Sequence, residues 1–401
     1  MEVVIAAISA VVGWVSGLAT AFSGLWVYRH TVKRDAFQDH CSSYEKRIAM
    51  REKELEQAVE EPDKETKRHR LSELRDEYDQ FLEAWQQKQE LAKLVPPRAI
   101  TADKPKPSAE EVAQLVELLA GSTRLPPAVL TAEDYFTRGN AYYKAGDYKQ
   151  ALEAYNGALE LRPDHPVALS NRGNTLDELK RYEEALRDFN RALELRPDDP
   201  DTLNNRGNTF DNMGQHEDAL KDYNRALELR PDHPTTLMNR GATLDIMGRY
   251  EDALKDYNRA LELRPDHPDT LNNRGITLRK LERYEEALTD YNRALELKPD
   301  DPDTLNNRGY ALTRMGRSEE ALQDINRALE LEPEAADLLE SRAEAYSMEG
   351  EFEKALRDLE AAVNKDSNLR EVARTDGYES FEALRKDAQY GPHFRKLVGE
   401  E

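Results

Sequence analysis

Apolar and polar positions follow a helical spacing through the C-terminal two thirds of the chain. Apolar residues recur at i, i+3, i+4 and i+7, in two amphipathic segments that alternate with each other. The first segment usually opens on a proline, whose missing N–H costs nothing at a helix start. The second ends before a proline, which cannot continue a helix. The pattern predicts a repeated antiparallel helix pair, in an all-α solenoid.

The repeated unit has a fixed length, and small residues stand at fixed places within it. The prolines that close the second segment lie 34 residues apart, at Pro163, Pro197, Pro231, Pro265, Pro299 and Pro333. Glycine recurs in the first segment, where the two helices must touch, at Gly139, Gly173, Gly207, Gly241, Gly275 and Gly309. We therefore expect close contact between the two helices of each pair.

These features resemble the tetratricopeptide repeat family. In the first copy the family's signature places hold Tyr135, Gly139, Tyr142, Ala151, Tyr155, Ala158 and Pro163. We number the copies as repeats one to seven, over residues 132–165, 166–199, 200–233, 234–267, 268–301, 302–335 and 336–369. Repeat seven departs from the pattern, with Ala343 for the glycine and Ser367 for the proline. The resemblance implies a right-handed superhelix whose concave wall consists of the first helices, and it implies no reaction.

The N-terminal segment is different in kind. Val3 to Tyr28 contains no charged residue and is long enough to cross a bilayer as one helix. Arg29, Lys33 and Arg34 follow it, so residues 1–34 are predicted to be a single-pass membrane anchor with the repeats on the cytoplasmic side. Small residues four apart in this span favour self-association of two such helices. They are Ser9, Gly13, Gly17 and Ala21.

A cleaved signal peptide is the alternative for this segment. Ala19-Thr20-Ala21 has the form of a cleavage site. However, Met1-Glu2 supplies no cation before the apolar run, and that run continues past the site. A permanent anchor is the favoured interpretation.

The segments between the anchor and the repeats, and after the repeats, are also predicted to be helical. Residues 35–95 carry two heptad seams separated by Glu61-Pro62-Asp63, which predicts a coiled-coil-like hairpin that pairs within one chain or with a second chain. Residues 96–131 form a proline-containing linker and a capping helix, which opens at Ser108. Residues 370–401 are predicted to be C-terminal capping helices.

Composition excludes several classes of function. The chain has 401 residues, a net charge of −22 and a pI near 5.0, which argues against nucleic acid as a partner because phosphate binding needs clustered cations. Cys41 is the single cysteine, so no intrachain disulfide forms. The sequence has no phosphate loop, metal-ligand cluster or nucleophile motif. We therefore expect neither an enzyme nor a cofactor.

The positions that would line the concave wall are rich in asparagine. They include Asn140, Asn171, Asn174, Asn204, Asn205, Asn208, Asn239, Asn272, Asn273, Asn306 and Asn307. A carboxamide both donates and accepts, so a ladder of asparagines suits the backbone of an extended peptide. The alternative is that these side chains only bridge neighbouring helices.

Charged and aromatic residues on the same wall would select the side chains of a ligand. Asp177, Asp211 and Asp245 predict an acidic stretch, and Arg279, Lys280 and Arg314 predict a basic stretch after it. Such polarity would set the direction of a bound peptide. Phe136 and Tyr143 form an apolar pocket in repeat one or are covered by the capping helix.

Two further sets of residues are predicted to have a structural role. The arginine after each ladder asparagine, Arg172 being the first, is expected to form an exposed ion pair with an aspartate of the second helix. His165, His233 and His267 are expected to be solvated turn residues.

The sequence thus predicts a membrane-anchored adaptor that binds peptide segments of partner proteins in its concave groove. A structural scaffold is the alternative, self-associating through the membrane helix, the hairpin and the repeats into a homo-oligomer. The two hypotheses differ in what the concave wall contacts.

Overall fold

The computed structural model describes residues 34–56, 61–94, 108–122, 130–374 and 379–400. These residues form helices and no strand, as the sequence predicts. The chain divides into two compact units. Of the described residues, those up to 163 form unit 1, and those from 164 onward form unit 2.

Unit 1 contains a helical hairpin, made of α1 (Arg34–Glu56) and α2 (Glu61–Leu94). Phe37 of α1 stacks on Trp85 of α2, with 4.0 Å between ring centroids. Tyr44 stacks in the same way on Tyr78, at 5.2 Å. The aromatic seams of the two helices therefore pack against each other within one chain, which is one of the two pairings that the sequence left open.

The remaining helices of unit 1 are α3 (Ala109–Ser122), α4 (Ala132–Lys144) and α5 (Tyr148–Leu161). Leu115 and Leu119 of α3 pack with Leu91 of the hairpin and Ala141 of repeat one. Lys88 of α2 forms a buried ion pair of 3.0 Å with Asp134 of α4. Its ammonium group also lies 3.9 Å from the centroid of the Trp85 ring. The hairpin, the capping helix and repeat one thus share one core.

Unit 2 consists of six helix pairs and a C-terminal cap. The first helices are α6 (Pro166–Glu178), α8 (Pro200–Asn212), α10 (Pro234–Ile246), α12 (Pro268–Lys280), α14 (Pro302–Arg314) and α16 (Ala336–Met348). The second helices are α7 (Tyr182–Leu195), α9 (His216–Leu229), α11 (Tyr250–Leu263), α13 (Tyr284–Leu297), α15 (Ser318–Leu331) and α17 (Phe352–Lys365). The cap contains α18 (Leu369–Arg374), a 3₁₀ turn (Glu379–Phe381), α19 (Glu382–Lys386) and α20 (Gly391–Val398).

The two helices of a pair meet at the recurrent glycine. A Cβ placed on Gly207 would lie 2.6 Å from the ring of Tyr223, and one placed on Gly275 would lie 2.5 Å from the ring of Tyr291. In repeat seven the glycine is replaced by Ala343, and the aromatic ring is replaced by Leu359. Both residues are buried in one apolar cluster. The predicted close contact of the paired helices is confirmed.

The first helices of repeats one to six begin with side-chain caps. The Nδ1 atom of His165 accepts a hydrogen bond of 3.2 Å from the backbone N–H of Ala168, and His267 does the same for Thr270 at 3.3 Å. Asp301 takes this role in repeat six, where it accepts from Thr304 N at 3.1 Å. The histidines therefore satisfy helix N–H groups that lack a partner in the helix. They lie in the turns between repeats, as the sequence predicts, and are partly exposed. The structure adds their role as helix caps.

A ladder of arginines connects neighbouring repeats. Arg240 binds both carboxylate oxygens of Asp256 at 2.7 Å, and its third nitrogen donates to Asn224 of the previous repeat at 2.7 Å. The same bidentate pair recurs from repeat two to repeat seven. The arginines are Arg172, Arg206, Arg240, Arg274, Arg308 and Arg342. The predicted pairing with second-helix acids is confirmed, but the aspartates are buried rather than exposed, because the helices enclose them.

The first helices form the inner wall of unit 2. Each of them contacts the first helix of the next repeat, whereas successive second helices make at most marginal contact in this part of the chain. Helices that lie closer together line the shorter side of a curved stack. The side chains that point away from the second helices therefore form this inner wall.

The predicted membrane span lies outside the residues that the structure describes, and so do Ser9, Gly13, Gly17 and Ala21. Within the described ranges, no helix is long and apolar enough to cross a membrane. Most of the linker over residues 96–131 is likewise not described.

Candidate functional site: the inner wall of the repeats

The asparagines at the start of the inner wall are enclosed by neighbouring helices. Asn171 is fully buried, and Asn204 and Asn205 are almost fully buried. Side chains in this position do not reach a ligand on the surface. For these three residues the structure differs from the predicted peptide ladder, because the adjacent first helices pack over the carboxamides.

Several asparagines bond to each other across repeats. The amide nitrogen of Asn239 donates to Asn204 Oδ1 at 3.2 Å and to Asn208 Oδ1 at 2.9 Å. Asn208 also accepts a hydrogen bond of 2.6 Å from the hydroxyl of Tyr223. Such bridges hold the helices of repeats three and four together. They correspond to the alternative that the sequence analysis left open for the ladder.

The asparagines of repeats five and six are more accessible. Asn272, Asn273, Asn306 and Asn307 are each partly exposed. Asn307 donates to Asn272 Oδ1 at 3.1 Å and keeps its own oxygen available. The carboxamide of Asn273 makes no hydrogen bond within the described ranges, whereas Asn306 Oδ1 has no partner there but is buried. These repeats hold the carboxamides that a peptide backbone can reach.

The acidic residues of the predicted polar groove are paired with neighbours. Asp177 accepts from Asn212 at 3.0 Å, and Asp211 contacts His216 at 2.6 Å. Asp245 accepts from Thr277 Oγ1 at 2.8 Å and forms an ion pair with Lys280. The predicted polarity, acidic and then basic, is therefore partly cancelled, because Lys280 reaches back one repeat to Asp245.

Repeat seven adds two acidic residues that the sequence analysis missed. Glu340 and Glu344 lie four residues apart on α16, and both are buried. One oxygen of each carboxyl has no hydrogen-bond partner among the described residues. Burial raises the pKa of Glu344 to about 8, with a further increase from Glu340, while Arg314 and Arg279 lower it. Burial likewise raises the pKa of Glu340 to about 7.

A signal for these two residues was present in the sequence. Glu340 and Glu344 occupy the fifth and ninth places of repeat seven, where no other copy carries a charged residue. Comparison of each wall position across all seven copies would have identified them. Both follow the basic residues of repeats five and six along the chain, and their burial favours the uncharged form of each carboxyl.

The candidate pocket of repeat one is closed. Phe136 is only 1% exposed, and its ring lies 6.0 Å from that of Tyr155. Asn140 is also buried and accepts a hydrogen bond of 2.7 Å from the Tyr155 hydroxyl. Tyr143 stays partly exposed and makes an edge contact with Tyr148 at 5.3 Å. Phe136 therefore lines no open apolar pocket in the described part of unit 1.

Other kinds of site find little support in the described part of the chain. No group of three His, Cys, Asp or Glu side chains there has the geometry to hold a metal ion. Two open pockets, of about 230 and 250 Å³, lie one repeat apart beside the arginine ladder. Arg240 and Arg274 line them and are already bound to aspartates. The inner wall of repeats five and six is the stronger candidate.

Sequence models described as "tetratricopeptide repeat" match four stretches of the chain. The matched residues are 136–200, 200–233, 232–300 and 274–343. Together they extend from 136 to 343, which is about half of the 401 residues. A search of curated proteins gives no match to the chain.

Solved structures give similar matches. A tetratricopeptide repeat protein from Parabacteroides merdae ATCC 43184 is 22% identical, with a TM-score of 0.49 over 67% of this chain and 98% of that chain. The APC/C hetero-tetramer Cut9-Hcn1 is 18% identical, with a TM-score of 0.54 over 63% of this chain and 50% of that chain. YrrB, "a TPR protein with an unusual peptide-binding site", is 23% identical, with a TM-score of 0.39 over 47% and 97%. At these identities, the match to Cut9-Hcn1 supports the fold alone.

Proposed function

Because the chain belongs to the tetratricopeptide repeat family, we propose that it is a membrane-anchored adaptor that binds peptide segments of partner proteins on the inner wall of repeats five and six. Proteins of this family generally mediate protein–protein interactions, and their fold is typically a non-enzymatic scaffold. The identity of the peptide, its place on the wall and the anchor are the parts that we propose.

The observation that carries the proposal is the unused hydrogen-bonding capacity of the asparagines in repeats five and six. Asn273 makes no side-chain hydrogen bond within the described ranges, and Asn307 uses only its amide nitrogen. Both side chains are partly exposed on the inner wall. An extended peptide offers alternating N–H and C=O groups, which a carboxamide can bind as acceptor and donor. Binding through the backbone would tolerate many peptide sequences.

The membrane part of the proposal comes from the uncharged run over Val3 to Tyr28 and the cations that follow it. An anchor with these cations after it would place the repeats on the cytoplasmic side. A tethered adaptor would concentrate its partners near the membrane surface. The alternative is a self-associating scaffold. The hairpin does not support it, because its aromatic seams pack against each other within one chain.

The test uses the purified full-length chain and random linear peptides displayed on phage. We expect selection to enrich peptides whose binding falls about tenfold or more in the double variant Asn273→Ala and Asn307→Ala, because each lost hydrogen bond contributes about 1 kcal/mol. Asn364→Ala, on the exposed face of α17, is the matched control and should bind normally. Selected peptides that bind both variants equally well would remove the inner wall as the site.

A further inference from the structure

The cap after repeat seven consists of short elements. Its α18, 3₁₀ turn, α19 and α20 are six, three, five and eight residues long. Helices of this length are not stable in water on their own, so tertiary contacts hold the cap in place. Phe381, Leu384 and Phe394 of the cap are buried in one apolar cluster with Leu356 and Leu359 of repeat seven. The cap therefore covers apolar residues of the last helix pair.

Two buried carboxyl groups lie on α16, the helix of repeat seven that contacts both the 3₁₀ turn and α19 of the cap. Ser347 Oγ of this helix donates a hydrogen bond of 2.6 Å to the backbone oxygen of Ser380 in the turn. Glu344 is 2% exposed, and Glu340, one helical turn earlier, is 9% exposed. Oε1 of each glutamate lacks a hydrogen-bond partner among the described residues, and so does the hydroxyl of Ser380. The contact between α16 and the cap thus offers little to a negative charge.

Burial dominates the electrostatics of Glu344. Loss of water around the carboxyl raises its pKa to about 8, and Glu340 on the same helix adds to this increase. Arg314 of α14, Arg279 of α12 and the Ser380 hydroxyl of the cap act in the opposite direction and lower the pKa. These three groups do not make up for the loss of water, so the carboxyl keeps its proton near pH 7.

The other titratable groups near this carboxyl do not favour its charge. Burial raises the pKa of Glu340 to about 7, and Asp337 and Asp366 raise it further. Tyr310 of α14 interacts with Glu344, and burial raises the pKa of the tyrosine hydroxyl. Charged side chains of α15, α17 and the cap form ion pairs of their own. These are Asp324 with Arg308, Asp358 with Arg342, and Arg385 with Glu382 and Glu400.

We propose that the cap is a pH-sensitive latch, which stays closed while Glu344 is protonated and leaves repeat seven when Glu344 ionises. An ionised Glu344 under the closed cap would be a buried charge without enough compensation, whereas an open cap lets water reach the carboxylate. Opening would uncover the apolar residues Leu356 and Leu359 at the end of unit 2. The latch goes beyond the proposed function and does not depend on it, since it involves no bound peptide.

The direction of the pH dependence follows from the two states of Glu344. Its pKa is about 8 under the closed cap and returns to the ordinary value of 4.5 when the cap is open. Below pH 4.5 the carboxyl is protonated in both states, so it does not affect opening. Between the two values only the open state ionises, and the equilibrium constant for opening rises about tenfold per pH unit. Above about pH 8 the effect levels off.

Hydrogen exchange of the full-length chain, followed by mass spectrometry of its peptides, tests the latch. After correction for the intrinsic exchange rate, the protection of residues 382–398 should fall about tenfold or more per pH unit from pH 5 to pH 8. At each pH, peptides from α17 should stay at least about tenfold more protected than the cap. That difference would show that the cap opens while repeat seven remains folded.

Glu344→Gln is the variant that removes the trigger, because glutamine keeps the shape of the side chain and cannot ionise. The fall in cap protection should lose about one factor of ten per pH unit in this variant. The double variant Glu340→Gln and Glu344→Gln should show no remaining fall. Glu353→Gln, at an exposed position of α17, is the matched control and should behave as the unmodified chain does.

Four outcomes would overturn the latch. The first is cap protection that stays constant from pH 5 to pH 8 in the unmodified chain. The second is an equal fall in the unmodified chain and in Glu344→Gln. The third is equal protection of the cap and α17 at every pH, which would mean that the cap opens only when repeat seven unfolds. The fourth is failure of Glu344→Gln to fold, because glutamine has the shape of a protonated glutamate. None of these outcomes affects the proposed peptide binding in repeats five and six.

Discussion

Arg274 donates hydrogen bonds to both carboxylate oxygens of Asp290, at 2.7 and 2.6 Å, and so joins the two helices of repeat five. Its third nitrogen donates to Asn258 of repeat four at 2.7 Å. The arginine thus holds three helices of two repeats together. A solenoid is stabilised by such contacts between neighbours, because each repeat touches only the repeats beside it.

Loss of the Asp290 carboxylate should destabilise unit 2. We expect Asp290→Asn to lower the free energy of unfolding by about 2–3 kcal/mol, because the carboxylate is almost fully buried and Arg274 would lose a charged partner. Asp266→Asn is the matched control, since Asp266 forms an exposed ion pair with Arg293. That change should cost about 0–1 kcal/mol. Urea unfolding followed by circular dichroism measures both, and equal losses would contradict the structural role of the buried pair.

The turn after each first helix offers a way to stabilise the protein. Gly214, Gly248 and Gly316 adopt positive φ angles of 72° to 74° there, and the equivalent residues Lys180 and Glu282 do so at 59°. Only glycine adopts this conformation without a steric cost. We expect Lys180→Gly and Glu282→Gly each to stabilise the chain by about 0.5–1 kcal/mol. Thermal unfolding should show a higher midpoint for both.

A reverse substitution checks the cause of that effect. Gly248→Ala should destabilise the chain by a similar amount, because alanine must adopt the same positive φ. Nothing lies close enough to a Cβ at this position to add a clash. A neutral result for all three variants would show that the backbone angle does not limit stability at this turn.

Glu344 should make stability fall as the pH rises. Its pKa is about 8 in the folded chain and 4.5 in the ordinary state, so the folded chain holds the proton more tightly. At a pH below its ordinary pKa, Glu344 is protonated in both the folded and the unfolded chain, so it does not lower the free energy of unfolding. Between the two values the unfolded chain gains stability by ionising, which favours unfolding, up to about pH 8.

Glu344→Gln isolates this contribution. The glutamine cannot ionise, so the stability advantage of the variant over the unmodified chain should grow from pH 5 to pH 8. Glu353→Gln, at an exposed position of α17, should show no such trend. Urea midpoints measured at several pH values give the comparison. A constant difference between Glu344→Gln and the unmodified chain would mean that Glu344 is ionised when folded.

The membrane anchor is tested by fractionation of cells that express the full-length chain. We expect the chain to stay in the membrane fraction after washing with high salt and alkaline carbonate, because the uncharged run over Val3 to Tyr28 would remain in the bilayer. A variant without residues 1–33 should appear in the soluble fraction. Mass spectrometry of the N-terminus distinguishes an anchor from a signal peptide, since cleavage after Ala21 would remove the first part of the run.

The sequence by itself determined the helix pairs. Their apolar spacing, the prolines at their ends and the glycine at each helix contact act within about 34 residues, so they can be read from one copy and checked in the next. The pairing of Arg274 with Asp290 could be predicted for the same reason, because both residues belong to one repeat. The family and the fold follow from such local information.

Tertiary structure decided which of the repeated side chains are accessible. Asn171 and Asn273 occupy the same place in their repeats, but only the first is fully buried, because burial depends on the side chains that the neighbouring first helix supplies. Lys280 pairs with Asp245 across 35 residues, which partly cancels the charge pattern expected from the order of residues. A repeat's own sequence fixes its backbone, whereas the contacts between repeats fix what its surface can bind.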